Sequence, residues 1–339
     1  MHGPLITLSY PYMPARRDGL GNAPLSRRRR GRHYARTVRP APADESLQMP
    51  PSIAFDADFY RSTYDDLRGF SAEDAHRHFI AFGQSEGRLG AKQAYREFFL
   101  PMIPQDRPVL EIGPFDCPVV RGDHVRYADV LSQDGLRTRA AEIGRNPDGC
   151  PPIHYALETF DLRAIPDRFG AVVSCHCIEH QPDLISHLQT IEDLLEPGGQ
   201  YFLVIPDKRY CFDHFIPAST IAGVVAAYVE RRKVHPLDRV IEHWAMTTHN
   251  DPPRHWDGDH GTPPLRLDKV KLAVEAFTKA PSAYIDVHGW QFTPDNFLTI
   301  TSSIADLGYT KLRPVQVFNT PRNCPEFCAV LGREAETAL

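Results

Sequence analysis

The chain has 339 residues, of which 42 % are hydrophobic, and its formal net charge is -5. This length suits a domain of roughly 200 to 250 residues with appendages, and the slightly acidic balance excludes an overall basic field for nucleic acid. No apolar run approaches the ~18 residues of a transmembrane helix. Seven cysteines without a disulfide framework indicate a reducing compartment, so a cytoplasmic protein is expected.

Residues 1–50 differ in composition from the rest of the chain. They are rich in Pro, Gly and Arg, include the run SRRRRGRH at 26–33, and show no apolar periodicity. This composition predicts a disordered basic tail. A phosphate- or membrane-binding arm is the alternative, whereas an export signal is not supported because no apolar segment follows the arginines.

Residues 51–90 carry two short apolar patterns that predict a helical hairpin. Ser71, followed three residues later by Asp74, is typical of an N-cap box that opens the second helix. One face of this helix is predicted to carry Ala75, His78, Phe79 and Phe82. His76 and His78 are interpreted as surface and core residues of the hairpin.

The stretch VLEIGPFDCPVV at 109–120 predicts a buried strand that ends abruptly at Gly113 and Pro114. Ligands of open α/β sheets bind outside the carboxyl ends of the strands, and a glycine there lets the backbone approach a cofactor. Four further strand-like stretches follow: VRYADV ending at Asp129, IHYALETFD with Glu158 and Asp161, GAVVSCHCIEH, and QYFLVIPD after a Pro-Gly-Gly turn.

This order of motifs resembles the class I S-adenosylmethionine-dependent methyltransferases, and the resemblance covers residues 95–333. It implies an α/β, Rossmann-like, seven-stranded and mostly parallel sheet with a reversed last strand, within a domain at 91–339. The implied activity transfers a methyl group from S-adenosylmethionine to a hydroxyl or amine. The glycine-poor loop departs from the family pattern E-x-G-x-G-x-G. The implied cofactor-binding residues are Glu111, Gly113, Pro114, Phe115, Asp129 at the ribose, Glu158 on the adenine side and His176. Asp161 is the alternative adenine-side acid, and either acid is otherwise a solvated surface residue.

The segment SCHCIEHQPD at 174–183 carries candidate catalytic residues. His176 or His180 would serve as a general base. Alternatively, His176, Glu179 and His180 lie within one predicted helical turn and would hold a divalent metal. A third interpretation is a helix cap packed against the cofactor. His288, in IDVHGWQFTPDNF, is a further candidate base, and we prefer it narrowly over His180.

About 70 residues, at 215–287, separate the fifth strand from the last helix, more than an ordinary connection requires. This segment is polar, aromatic and rich in histidine, so we predict a substrate lid. Its possible metal ligands are His249, Asp251, His255, Asp257, Asp259 and His260; a surface loop is the remaining alternative. The candidate substrate-binding residues are Asp207, Arg209, His214, His260 and Trp290.

The hairpin is similar to short repeats that accompany glycosyltransferases and other bacterial surface-glycan enzymes. The resemblance implies a sugar hydroxyl of a surface glycan as acceptor and an association with glycan-assembly proteins. A lipid or a small natural product is the next acceptor class. A catalytically idle methyltransferase fold acting as a binding module, a nicotinamide dehydrogenase and a metal-dependent hydrolase are the rival classes.

Overall fold

A computed structural model describes residues 52–157, 161–263 and 265–333. The predicted tail at 1–50 and the candidate adenine-side residue Glu158 lie outside these ranges. The domain boundaries drawn from the sequence stay predictions.

Within the described ranges the chain forms one sheet of seven strands. They are β1 Val109–Ile112, β2 Val125–Asp129, β3 Tyr155–Ala156, β4 Phe169–Cys175, β5 Leu195–Pro206, β6 Leu312–Val317 and β7 Glu326–Arg333. Their spatial order is β3-β2-β1-β4-β5-β7-β6. Strands β1 to β5 pair in parallel, whereas β7 runs antiparallel to both β5 and β6. The predicted fold class and the reversed closing strand are therefore confirmed.

The same ranges contain ten α-helices. They are α1 Ala57–Thr63, α2 Ala72–His78, α3 Arg96–Phe99, α4 Gln133–Glu142, α5 Leu184–Leu194, α6 Ile221–Val229, α7 Leu237–Met246, α8 Pro252–Trp256, α9 Leu267–Lys279 and α10 Pro294–Asp306. The central strands are buried on both faces, as their near-continuous apolar runs require for a parallel sheet covered by helices.

Helix starts follow local capping chemistry. The Ser71 hydroxyl accepts the Asp74 N–H at 3.0 Å and opens α2, and Thr293 caps α10 with Pro294 at its first position. The Ser71 cap agrees with the sequence prediction. The predicted apolar face of α2 is wrong at Phe82, whose exposed fraction is 58 %.

The reason is a π-helical turn at Phe79–Gly83. A π turn holds more residues than an α turn, so it rotates Phe82 away from the face that Ala75 and Phe79 share. Phe79 itself is fully buried against Tyr60 of α1. The segment before α1 joins the hairpin to the sheet, because the Ala54 N–H donates to the Val317 carbonyl of β6 at 2.8 Å.

In the described part of the chain, no helix is both long enough and apolar enough to cross a membrane. The seven cysteines are all free thiols. The Cys177 thiol lies 3.4 Å from the Ile112 carbonyl of β1, which places the loop after β4 against the end of its neighbouring strand.

Candidate active site

The turn after β1 is built for close backbone approach. Gly113 has φ +68°, and a Cβ at this position would lie 2.7 Å from the Cys177 sulfur. Glycine is required both by the left-handed backbone and by this contact. The turn therefore packs directly against the segment that follows β4.

Glu111 shapes the same loop from beneath. Its carboxylate accepts the N–H groups of Val119 and Val120 at 2.8 and 3.0 Å. Burial raises the pKa of Glu111 to about 7, although these two hydrogen bonds and nearby arginines oppose that shift. The two hydrogen bonds of Glu111 hold the loop against the end of β1. Its contact with the cofactor stays a prediction.

Pro114 is buried, and Phe115 is half-buried with a left-handed φ of 44°. The Arg145 guanidinium lies 5.3 Å from the Phe115 ring centre and also pairs with Asp116. A cation over an aromatic face stabilises the ring position, so a glycine-poor loop is held in one shape by side-chain packing.

Asp129 ends β2 and is buried, with 7 % of its surface exposed. One carboxylate oxygen accepts the Val130 N–H at 2.7 Å, and burial raises the pKa of Asp129 to about 6. A carboxylate offers about four acceptor positions, so capacity remains for a ligand diol. This position is the one that the resemblance assigns to the ribose.

The segment after β4 and the segment before α10 together form what we call the central histidine group, consisting of His176, Glu179, His180 and His288. One nitrogen of each histidine lies 3.8 Å from the same carboxylate oxygen, Oε1 of Glu179. Glu179 is 1 % exposed, and neither of its oxygens has a hydrogen-bond partner among the described residues. A buried carboxylate without a hydrogen bond is costly unless opposite charge neutralises it.

Backbone hydrogen bonds explain why these residues meet. The Glu179 carbonyl accepts the N–H groups of Gly289 and Trp290 at 2.8 and 3.2 Å, which brings His288 beside Glu179. The rings of His180 and His288 then lie edge to face, with centres 4.7 Å apart. The helical turn predicted for 178–180 is instead a 3-10 turn, and α5 begins only after Asp183 caps it.

Each histidine of the group is held at its other nitrogen by a carboxylate. His176 Nε2 lies 2.6 Å from Glu326, and His180 Nδ1 lies 2.8 Å from Asp286. His288 Nδ1 lies 2.6 Å from Asp213. A carboxylate at one nitrogen fixes the ring orientation and, in a neutral ring, also the tautomer.

The charges in the group differ between the rings. Burial opposes a proton on His180, but Asp286 and Glu179 outweigh it and raise the pKa of His180 to about 9. Burial and the neighbouring His180 lower the pKa of His288 to about 3. At neutral pH His180 is therefore a cation, whereas His288 is neutral. Its Nδ1 shares a hydrogen bond with Asp213, whose own pKa is raised by burial to about 7.

The predicted substrate-binding residues differ in burial and in the contacts that they make. Asp207 is fully buried, and its carboxylate is bound by Arg209 and Thr320. Trp290 is also buried, with its indole N–H on the Gln181 carbonyl. Asp207 and Trp290 thus hold loops in place, while the Arg209 side chain is 42 % exposed at the end of β5.

His214, in the loop after β5, stacks on His260 of the predicted lid, with parallel rings whose centres are 3.7 Å apart. The buried His255 is the third member of this group, and its Nδ1 lies 3.0 Å from that of His260. Burial lowers the pKa of His255 to about 4 and also lowers that of His214, so both rings are neutral near pH 7.

Sequence reasoning missed the carboxylate partners Asp213, Asp286 and Glu326. Asp286 carries a local signal, because it precedes His288 by two residues in the same short motif. Glu326 carries none, since it stands 150 positions from His176 and meets it only through the pairing of β5 with β7.

A family model described as a methyltransferase domain matches residues 85–260. The chain belongs to this family. No curated protein matches the chain.

Among solved structures, the chain is similar to a putative S-adenosylmethionine-dependent methyltransferase from Listeria monocytogenes, with 14 % identity, 70 % of this chain and 96 % of that chain covered, and a TM-score of 0.35. The CcbJ methyltransferase from Streptomyces caelestis matches at 23 % identity over 33 % of this chain and 51 % of that one, with a TM-score of 0.23. The glycopeptide N-methyltransferase MtfA matches at 24 % identity over 38 % and 56 %, with a TM-score of 0.24. The chain thus spans about half the length of these last two proteins.

Proposed function

We propose that the chain is an S-adenosylmethionine-dependent methyltransferase that methylates a hydroxyl, or an amine, held beside the central histidine group. One observation carries the proposal. Cys177 contacts the Gly113 turn, and it lies two residues before Glu179 in the sequence. The turn that would bind the cofactor and the central histidine group are therefore neighbours at the carboxyl edge of the sheet.

The residues present fit the cofactor. The Gly113 turn offers backbone at close range, and the buried carboxylate of Asp129 suits a ribose diol through charge-assisted hydrogen bonds. When bound, S-adenosylmethionine supplies an electrophilic methyl group on a sulfonium. The protein has to align the acceptor and remove its proton, and alignment alone is worth several kcal/mol.

Proton removal is assigned to His288, the neutral ring. Its lowered pKa makes it a weak base by itself, and the Glu179 carboxylate, 3.8 Å from its Nε2, is the charge that would stabilise the proton it accepts. When Asp213 is ionised it accepts a hydrogen bond from His288 Nδ1, which leaves the lone pair on Nε2 facing the group. His180 is already protonated and so is a poor base, but it is well placed to donate a hydrogen bond to an acceptor oxygen. His176, 33 % exposed and held by Glu326, borders the same space.

The acceptor class is proposed from sequence. A sugar hydroxyl of a bacterial surface glycan is favoured by the hairpin pattern, and a lipid or small natural product is the alternative. Arg209, whose side chain at the end of β5 is 42 % exposed, is the candidate contact for a polar acceptor. A cytoplasmic location and an association with glycan-assembly proteins stay predictions of the sequence.

Calorimetry with S-adenosylmethionine, S-adenosylhomocysteine and NAD tests the cofactor. We expect both adenosyl compounds to bind and NAD not to bind. Absence of binding by either adenosyl compound would favour the idle binding module over the enzyme. Methyl-labelled S-adenosylmethionine, incubated with panels of sugars, amines and lipids, then identifies the acceptor class.

The base assignment has a separate test once an acceptor is known. Because only the proton transfer is lost, His288→Gln should lower kcat by about 10²- to 10⁴-fold while calorimetry shows unchanged cofactor affinity. Divalent metal that co-purifies with the protein, disappears in Glu179→Gln and is needed for turnover would contradict this assignment and make the group a metal centre.

A further inference from the structure

A second histidine group, apart from the central one, lies where the lid meets the loop after β5. It consists of His214, His255 and His260, and one nitrogen of each ring lies within 4.8 Å of the others. His255 is 2 % exposed, while His214 and His260 are half-buried. The group is thus closed on one side and open to solvent on the other.

Hydrogen bonds to backbone carbonyls fix two of the three tautomers. His214 Nδ1 lies 2.9 Å from the Arg209 carbonyl, and His255 Nε2 lies 3.1 Å from the His249 carbonyl. A carbonyl only accepts, so each of these nitrogens carries the proton. The lone pairs are left on His214 Nε2 and His255 Nδ1.

The third ring completes the arrangement. His260 Nδ1 lies 3.0 Å from the unprotonated His255 Nδ1, so a proton or a cation must lie between these nitrogens. Metal-binding histidines usually give their other N–H to a carboxylate or a backbone carbonyl. His214 and His255 both show this pattern.

The other polar residues of the lid loop are already engaged. His249 has both ring nitrogens in hydrogen bonds, to the Asp259 carbonyl and the Asp251 N–H. The Asp251 side chain caps α8, Asp259 pairs with Arg254, and Asp257 pairs with Arg322. Of the six lid residues considered as ligands from sequence, His255 and His260 remain, and His214 joins them from the loop after β5.

We propose that His214, His255 and His260 form a binding site for a first-row transition-metal ion of the zinc class, with a fourth position open to water or substrate. Three neutral imidazoles suit Zn²⁺, Ni²⁺ or Cu²⁺ and not Mg²⁺ or Ca²⁺, which prefer oxygen ligands. The ion would cross-link the lid to the loop after β5. This site stands independently of the proposed methyl transfer.

Binding requires one local rearrangement. The rings of His214 and His260 are stacked with an angle of 10° between their planes. A metal ion lies in the plane of each imidazole that it binds, so two stacked rings cannot share it. The half-buried His260 ring must turn out of the stack, while His214 and His255 keep their carbonyl hydrogen bonds.

The experiment is a titration of chelator-treated, full-length protein with Zn²⁺, followed by calorimetry and thermal unfolding, with Co²⁺ as a spectroscopic probe. We expect one equivalent to bind and to raise Tm, because an ion that binds only the folded state stabilises it. Tetrahedral Co²⁺ absorption with nitrogen ligands would identify the geometry. No binding by the wild-type protein would overturn the proposal.

Variants locate the ion. His214→Ala and His260→Ala should each weaken binding by more than the roughly 10- to 100-fold that loss of an outer-shell partner costs. His249→Ala is the matched control in the same loop and should retain the site, as should Glu179→Gln, which disables the central histidine group. Binding that survives in both His214→Ala and His260→Ala, or that is lost only in Glu179→Gln, would refute the assignment. The Tm of each metal-free variant checks that it folds.

Discussion

Single side chains in the central histidine group work in pairs. The ionised Asp213 carboxylate accepts a hydrogen bond from His288 Nδ1 at 2.6 Å, and this contact leaves Nε2 as the basic nitrogen. Asp286 does the opposite for His180, since its charge keeps that ring protonated. Two histidines with rings 4.7 Å apart therefore differ in charge because their carboxylate partners and surroundings differ.

Asp213→Asn tests this division. An asparagine amide can face His288 Nδ1 with its NH₂ group, which would favour the tautomer that has its proton on Nε2 and no lone pair there. We expect kcat to fall by about 10²- to 10⁴-fold, with cofactor affinity preserved. The measurement is steady-state turnover beside calorimetry. Equal loss of cofactor binding would instead show that Asp213 acts on the fold of the whole site.

Asp129→Ala tests the cofactor cradle at the same scale. Removal of a buried carboxylate that binds a diol deletes two charge-assisted hydrogen bonds, so S-adenosylmethionine should bind at least ~100-fold more weakly. Asp134→Ala, an exposed position at the start of α4, is the control and should bind normally. Undiminished binding by Asp129→Ala in calorimetry would show that another residue holds the ribose.

Among the elements, the hairpin depends on one close contact. Gly83 ends the π-helical turn, and a Cβ there would lie 2.1 Å from the hydroxyl of the fully buried Tyr60. That hydroxyl also lies 3.1 Å from His78 Nδ1, so its position is already constrained. The approach of α1 to the π turn thus requires a residue without a side chain.

Gly83→Ala should therefore destabilise the protein by about 1 to 3 kcal/mol through overpacking. Gly69→Ala is the matched control, because no atom lies within 4 Å of the Cβ it would add. Chemical denaturation of both variants measures the difference. If the two variants unfold at the same denaturant concentration, Tyr60 can move aside and the contact is unimportant.

A helix or strand can be predicted from the sequence when the residues that determine it are close together in the chain. The bounds of α6 and the start of α10 were predictable, because an apolar run and the pair Thr293–Pro294 decide them over a few residues. The π-helical turn that exposes Phe82 was not predictable, because it depends on packing against Tyr60. Glu326 was also beyond local reasoning, because it reaches His176 only through the closing strand of the sheet.

Across the whole molecule, buried titratable groups act on stability in opposite directions. Burial lowers the pKa of His187 and His235 to about 4, so acid favours their unfolded, protonated forms. Burial raises the pKa of Glu111 to about 7 and of Asp129 to about 6, so acid favours their folded, protonated forms. Both groups change the free energy of unfolding between about pH 4 and pH 7. The pH dependence of the stability of the wild-type protein is the sum of these opposing contributions.

A single substitution can isolate one of these contributions. His187 lies in α5 and is buried, with its Nε2 3.1 Å from the Tyr201 hydroxyl. Burial lowers its pKa from 6.5 to about 4. Between these pH values the His187 ring is protonated in the unfolded chain and neutral in the folded chain. The stability due to neutral His187 is complete above pH 6.5 and is lost as the pH falls toward 4, by about 3 kcal/mol in total.

His187→Gln removes this titration and keeps a side chain able to reach the Tyr201 hydroxyl. Urea denaturation of both proteins at pH 7.5 and pH 4.5 gives the free energies of unfolding. We expect the wild-type protein to lose about 2 to 3 kcal/mol more than the variant between these two pH values. The difference at pH 7.5, where the ring is neutral in both states, isolates the effect of packing. An equal loss in the two proteins would mean that His187 accepts a proton in the folded state, and that the interior of the molecule around α5 is more accessible to water than its burial indicates.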